Sequence, residues 1–294
     1  MESTLHNKVG FHLIGEIAEK RVNVPDEATE WSDRTFSYLQ GMWKKSAIEE
    51  LFLLFEDEKL IEKKTGELNA EGLIDPWYQI THLGRIASNN YFDPLDVVRW
   101  KKNIYIMCDK DLSSSDAAIA WMYCCTHSNK GGFIPKELKF LSNDFIGTLN
   151  GLSLSVNGQR SLANATILYN HLQGQTGMLA GFKSAINGIV MDSERVVNCL
   201  RQISDRVLKN GPSNRYWDQV AIRIKYGVGW NRAGLCRLNG IGTVHSKTLM
   251  DNGIDGLLPF KNNLEIARAV LPEKAFESAY NSLDGILSKL QEHG

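Results

Sequence analysis

No apolar run in this 294-residue chain approaches the roughly 18 residues that a membrane-spanning helix needs, so no membrane partner is expected. The chain as given opens without a basic-then-apolar leader, and secretion is not expected either. Cysteine is scarce: Cys108, Cys124, Cys125, Cys199 and Cys236 form no Cys-x-x-Cys pair and make an odd total. That usage points to reduced thiols in a cytoplasmic protein and away from a disulfide framework or a zinc site. The seven histidines have no metal-ligand spacing, so no metal site is read. A phosphate loop is missing as well. The closest string, Gly177 to Ser184 (GMLAGFKS), puts Phe182 between glycine and lysine and reads as helix. Asp26-Glu27-Ala28-Thr29 imitates a metal-holding acidic box, but it follows Pro25 and opens a helix, so its acids read as first-turn dipole partners. With no catalytic residues and no cofactor site legible, the chain is not expected to be an enzyme on its own.

What is present is apolar content ample for two or three units of roughly 70–130 residues each. The net charge of -1 hides an uneven distribution. Between Arg195 and Met250 there are ten basic residues and only two acids, Asp205 and Asp218, an excess large enough to set up a local positive field. The first eighty residues lean acidic, with Glu49, Glu50, Glu56, Asp57 and Glu58 clustered.

Residues 1–102 read as helices plus a small β element. Ser46 can cap a helix carrying Ile48, Leu51, Phe52 and Phe55. Two short apolar stretches follow, Leu60-Ile61 and Trp77 to Ile80, and Thr81 starts another helix. This is the composition of a winged helix, and an irregular helical bundle with one hairpin has the same composition. Residues 103–226 read as almost all helical. Asp116 to Cys125 is an apolar helix, Gly131-Gly132 breaks the chain, Gly147 to Ser161 reads as a loop, and Ala163 to Leu172 and Met178 to Val190 read as helices. In a helix from Asp192 to Leu208, Val196, Leu200, Ile203 and Val207 share an apolar face. Arg195, Asn198, Cys199, Gln202 and Arg206 form a separate stripe about 16 Å long at about 1.5 Å per residue. Arginines at its ends could follow a strand backbone; a merely solvated face has the same pattern.

Residues 227–294 carry the most informative segment, which begins just before them at Arg223. It reads as two short helices joined by Gly240-Ile241-Gly242, with Leu235, Leu238, Ile241 and Leu249 inward and Gly253 as a stop. This is the helix-hairpin-helix pattern. Two glycines let the backbone approach a phosphate, and the following helix directs unpaired N–H groups and its positive dipole end at the anion. The candidate nucleic-acid contacts are Arg223, Lys225, Trp230, Arg232, Arg237, Gly240, Ile241, Gly242, Val244, His245 and Lys247, together with Arg195, Asn198, Gln202 and Arg206 of the stripe. Trp217 satisfies a core helical repeat with Val220, Ala221 and Ile224, while Trp230 could stack on a base or pack inside. The same hairpin occurs in DNA glycosylases, which add a catalytic Asp downstream. Lys247 with Asp251 or Asp255 are the only nearby candidates, and no base pocket is legible.

Three strings carry a family resemblance. Phe11-His12-Leu13-Ile14-Gly15-Glu16-Ile17-Ala18 with Arg34-Thr35-Phe36, then Thr81 to Ser88 (THLGRIAS) with Tyr91-Phe92-Asp93-Pro94-Leu95, then Arg223 to Val228 (RIKYGV) leading into Arg237 to Gly242 (RLNGIG), occur in that order across nearly the whole chain. The chain resembles the region C-terminal to the motor in Ski-like superfamily 2 DNA helicases, the archaeal type related to the helicase part of polymerase theta. The resemblance implies a mainly α fold: a winged helix with a small β-wing, a helical bundle called the ratchet, and a C-terminal helix-hairpin-helix. It implies single-stranded or fork DNA as partner, and helicase motor domains in the same longer chain or a separate subunit. ATP and magnesium would act in those domains, none of whose motifs occur here; a fragment is expected, with a natural stand-alone protein as the alternative. In the family a long ratchet helix contacts the strand through an arginine and, seven residues later, a tryptophan. Arg195 stands at the arginine position and Gln202, which cannot stack on a base, at the tryptophan position; Ser246 replaces the alanine usual after the hairpin. Two other readings remain: a helical protein-interaction module, or a stand-alone helix-hairpin-helix DNA-binding protein.

Overall fold

Apolar residues at helical spacing set most of the elements, and the chain is mainly helical. The computed structural model describes residues 9–34, 45–65, 76–109, 112–124, 136–154, 159–175, 177 and 179–292. The chain divides into two compact units, Met1–Ile104 with Gln202–Asn210, and Tyr105–Arg201 with Gly211–Gly294.

In the first unit, helix α1 (Val9–Ala18) buries Val9, Leu13, Ile14 and Ile17. Helix α2 (Pro25–Asp33) starts at Pro25 with Asp26 and Glu27 in its first turn, where carboxylates meet the positive end of the dipole. The Glu27 carboxylate also accepts from the Asn23 N–H at 2.6 Å. Helix α3 (Lys45–Asp57) begins one residue before Ser46, which therefore lies in its first turn rather than at its cap; Ile48, Phe52 and Phe55 are buried. Strands β1 (Ile61–Lys64) and β2 (Trp77–Ile80) pair antiparallel, with Ile61 opposite Ile80 and Lys63 opposite Tyr78. Tyr78 turns inward and meets the Phe52 ring edge-on at 5.2 Å.

Helix α4 (His82–Asn90) shows why the string THLGR has its order. Thr81 caps the helix by accepting from Gly84 N–H at 3.2 Å, and its hydroxyl donates to the Lys59 carbonyl at 2.7 Å. Gly84 lies so close to the backbone entering β1 that an added Cβ would sit 2.2 Å from the Leu60 carbonyl oxygen. Asp93 caps α5 (Pro94–Asn103), which buries Trp100 against Phe92.

In the second unit, α6 (Ile106–Asp109) leads to α7 (Leu112–Cys124), whose residues Ala117 to Tyr123 are all buried. A helix apolar on every side belongs at the centre of a bundle, and α8 (Lys139–Gly151) and α9 (Gln159–Leu172) pack on it. The expected loop at Gly147 is corrected here: Gly147 to Gly151 are helical, because Phe145 and Leu149 bury an apolar face that outweighs the local glycine and serine preference. Gly131-Gly132 lies outside the described residues. A second correction concerns the expected break before Asp192. After a turn at Ala180–Phe182, one helix, α10 (Lys183–Arg206), runs unbroken and contributes residues to both units. Lys183 and Ser184 begin that helix, Gly177 and Leu179 lie in turns and Ala180–Phe182 is 3-10 rather than α-helix; Met178 lies outside the described residues.

Then follow α11 (Asn214–Tyr226), α12 (Trp230–Ala233), a 3-10 turn at Leu235–Arg237, α13 (Thr243–Asp251), α14 (Leu257–Asn262), α15 (Leu264–Val270) and α16 (Glu273–Glu292). Leu235, Leu238, Ile241, Leu249, Ile254, Phe260, Phe276 and Leu283 form the core shared by the elements from the 3-10 turn onward. Among the described residues, no helix is long and apolar enough to cross a membrane.

The Gly84 contact yields a test. Gly84→Ala should lower stability by about 1–3 kcal/mol in urea denaturation. Gly15→Ala, in α1 with nothing near an added Cβ, should raise it by up to about 1 kcal/mol. Equal effects would overturn the packing account.

Candidate nucleic-acid interface

The hairpin is built by alternating burial and turn chemistry. Leu235 and Cys236 anchor the 3-10 turn in the core, and Leu238 is buried after it. Gly240 then takes φ +81°, a left-handed conformation that favours glycine, close against Ala275 and Ser278. Ile241 N–H donates back to the Leu238 carbonyl at 3.1 Å, and the Ile241 side chain is buried. Gly242 is extended and serves as the N-cap of α13, with no side chain capping the helix. The first N–H groups and the positive dipole end of a nine-residue helix are thus offered at the hairpin.

Around that end, Val244 is 73 % exposed and Lys247 is exposed. His245 Nδ1 lies 2.9 Å from the Gly240 carbonyl and must carry the hydrogen there, which leaves Nε2 to face outward partners. Arg232 is half-buried and donates to the Thr243 carbonyl at 3.3 Å, so it holds the start of α13 as well as supplying charge. Ser246 is buried, and its hydroxyl donates to the Thr243 carbonyl at 3.2 Å.

Two expected contacts belong to the interior. Arg223 is fully buried and grips Asp116 through two hydrogen bonds of 2.5 and 2.6 Å. It also donates to the carbonyls of Leu172 and of Val228, the latter at 3.1 Å. Its guanidinium lies 4.2 Å from the centre of the Trp230 ring, and Tyr216 packs on that indole at 5.4 Å. Arg223 is therefore a correction: it is internal and is no phosphate contact. Trp230 resolves toward packing, since its ring is engaged within the fold. Trp217 is fully buried, as its helical repeat implied.

Along α10, Arg195, Asn198 and Arg206 are exposed. Cys199 is completely buried, and burial pushes its thiol well above the ordinary range, so it leaves the stripe. Gln202 is half-buried and faces Asn90, with amide contacts of 3.3 and 3.4 Å in both directions.

Sequence reasoning missed a groove of about 950 Å³ in the second unit, which brings Arg215, Lys225, Arg237 and Lys289 to one place. Lys225 and Arg237 were on the candidate list, but Lys289 lies on α16, more than fifty residues from Arg237 in sequence. Only tertiary structure joins them. No group of three or more His, Cys, Asp or Glu that could hold a metal ion occurs among the described residues. No protein-family model matches this chain, and no curated protein matches it.

Two tests follow from the interior. Asp116→Ala should cost about 3–5 kcal/mol in urea denaturation because Arg223 would be left buried and unpaired. Asp116→Leu combined with Arg223→Met should recover most of that loss; no recovery would argue against the pair as its origin. His171 gives a pH dependence. Its Nε2 lies 2.7 Å from the Ile224 carbonyl, while burial, opposed by that bond and reinforced by Arg223, holds it below the ordinary histidine value of 6.5. In the window below 6.5 the unfolded chain binds the extra proton, so stability rises with pH there and falls on acidification toward the lower folded value. His171→Gln should flatten that slope, and an unchanged slope would assign it to other groups.

Proposed function

We propose that this chain is a non-catalytic nucleic-acid-binding module of a superfamily 2 DNA helicase, guiding single-stranded DNA while a motor absent from the chain hydrolyses ATP. The observation that carries the reading is the uncapped start of α13 behind Gly240 and Gly242, ringed by Arg232, His245 and Lys247. Such a terminus takes a phosphate without reading a base. The exposed Arg195 and Asn198 supply further backbone contacts. The helices and paired strands of the first unit fit a winged helix that docks on the motor, and the second unit combines the ratchet bundle with the helix-hairpin-helix. On this reading ATP and magnesium act in the motor domains.

A second reading, protein docking through the bundle, has its support in Phe140 and Met191, which are 78 % and 71 % exposed. The two readings separate in one experiment. Fluorescence anisotropy with labelled single strands should show binding at low salt that weakens steeply as salt rises. Lys247→Ala and Arg195→Ala should each weaken binding, whereas Arg34→Ala should not. Absence of binding at low salt would sink the nucleic-acid reading and favour protein docking.

A further inference from the structure

The groove beside the hairpin has features that a solvated basic surface lacks. Its walls are the first turn of α11 at Ser213 to Arg215, the 3-10 turn ending at Arg237, and the last turns of α16 at Ile286 to Leu290. Four cations line it against one acid, Asp218, which is already bonded by Arg201. Arg237 is half-buried, and its Nη2 is buried without a hydrogen-bond partner. A guanidinium carries five N–H donors in a planar fork, and a buried donor of a cation left without an acceptor is costly. Burial lowers the pKa of Arg237, Asp218 opposes that, and Arg215 reinforces it, so positive charge is held where water has been removed. Ile222, Tyr226, Leu238 and Ile286 give it an apolar and aromatic wall, and Ser213, Asn214 and Asn239 add neutral polar groups. A site of about 950 Å³ is far larger than a bare phosphate needs and has room for an attached sugar and base.

We propose that this groove takes a nucleotide unit, with the Arg237 guanidinium holding its phosphate, Arg215 and Lys225 flanking it, and the apolar wall receiving the nucleoside. The fork of Arg237 matches two phosphate oxygens, which a lysine in its place would not. The start of α11 adds the positive end of a second helix dipole at the same place. The inference deepens the nucleic-acid reading and rests on it for the source of the nucleotide: an internal residue of a bound strand. A free mononucleotide has the same chemistry, and the test separates the two.

The full chain is titrated with deoxyadenosine 5′-monophosphate by calorimetry and with a short labelled oligothymidine by anisotropy. Arg237→Gln should weaken oligothymidine binding about tenfold and lower the log–log salt slope by about one. Arg215→Ala, at an exposed side chain, should weaken it about threefold and serves as the test by itself if Arg237→Gln does not fold. If the wild type binds oligothymidine and both folded variants bind equally well, the groove is not the site, while the functional reading stands on the hairpin. If the mononucleotide binds in an Arg237-dependent way and the strand does not, the groove stands and the strand-guiding reading falls. If neither probe binds at low salt, both fall.

Discussion

A fully buried arginine must find a carboxylate, and in this chain that requirement ties together α7, α9, α11 and the start of α12. Arg223 on α11 meets Asp116 on α7, the C-terminal carbonyl of α9 at Leu172, the Val228 carbonyl, and the face of Trp230. Gln173 donates to the same carboxylate at 2.7 Å, so the charge is bound from both sides. Breaking any one of these contacts exposes a desolvated charge, which is why the cluster acts as a clamp rather than as a sum of separate bonds. Its geometry demands a sharp exit from α11. Gly227 supplies that exit at φ +60°, against a His171 ring that leaves no room for a Cβ, since one would lie 2.4 Å from Cε1.

The clamp sets the hairpin in place. Because Val228 and Trp230 are held by Arg223, the chain enters the 3-10 turn at Leu235 from a fixed direction. The Tyr226 carbonyl accepts from the Thr243 hydroxyl, and the Gly242 backbone packs on the Tyr226 ring. The two glycines differ: Gly240 is required by its positive φ, whereas Gly242 is extended and a Cβ there would stand 3.4 Å from the Tyr226 ring. Helix α13 then starts where no side chain of its own closes its N-terminus, on a core of leucine, isoleucine and phenylalanine. A rigid uncapped helix end is a preorganised anion site, since no ordering of loops opposes binding.

Much of this was legible in the sequence, for physical reasons that differ by element. Thr81, Leu60-Ile61 and Trp77 to Ile80 announced a capped helix and a strand pair because capping and short apolar stretches are local signals. Leu235, Leu238, Ile241 and Leu249, expected to face inward, do share one core. What failed was whatever depends on a partner far along the chain. Arg223 looked like one more cation in a basic stretch, and nothing local says that Asp116 awaits it 107 residues earlier. Cys199 sits at the edge of two faces of α10, and only the packing around the helix decides that it is buried. The groove at Arg237 was hidden because α16 closes it from the end of the chain.

Gln202 shows how one substitution changes the way a strand could be held. Where the resemblance places a tryptophan, the chain has an amide, and that amide is satisfied by Asn90 at the end of α4. A base cannot stack there, because an amide lacks the aromatic face and this one already serves the first unit. Any grip on single strands must then come from charge: Arg195 on α10, the start of α13, and the cations around Arg237, with the neutral Asn198 adding at most a hydrogen bond. Charge contacts are indifferent to sequence and released by salt, whereas stacking resists salt. With an amide at this place, the proposed grip would be one that tracks the backbone and lets go easily, a property that the proposed guiding of a strand would need.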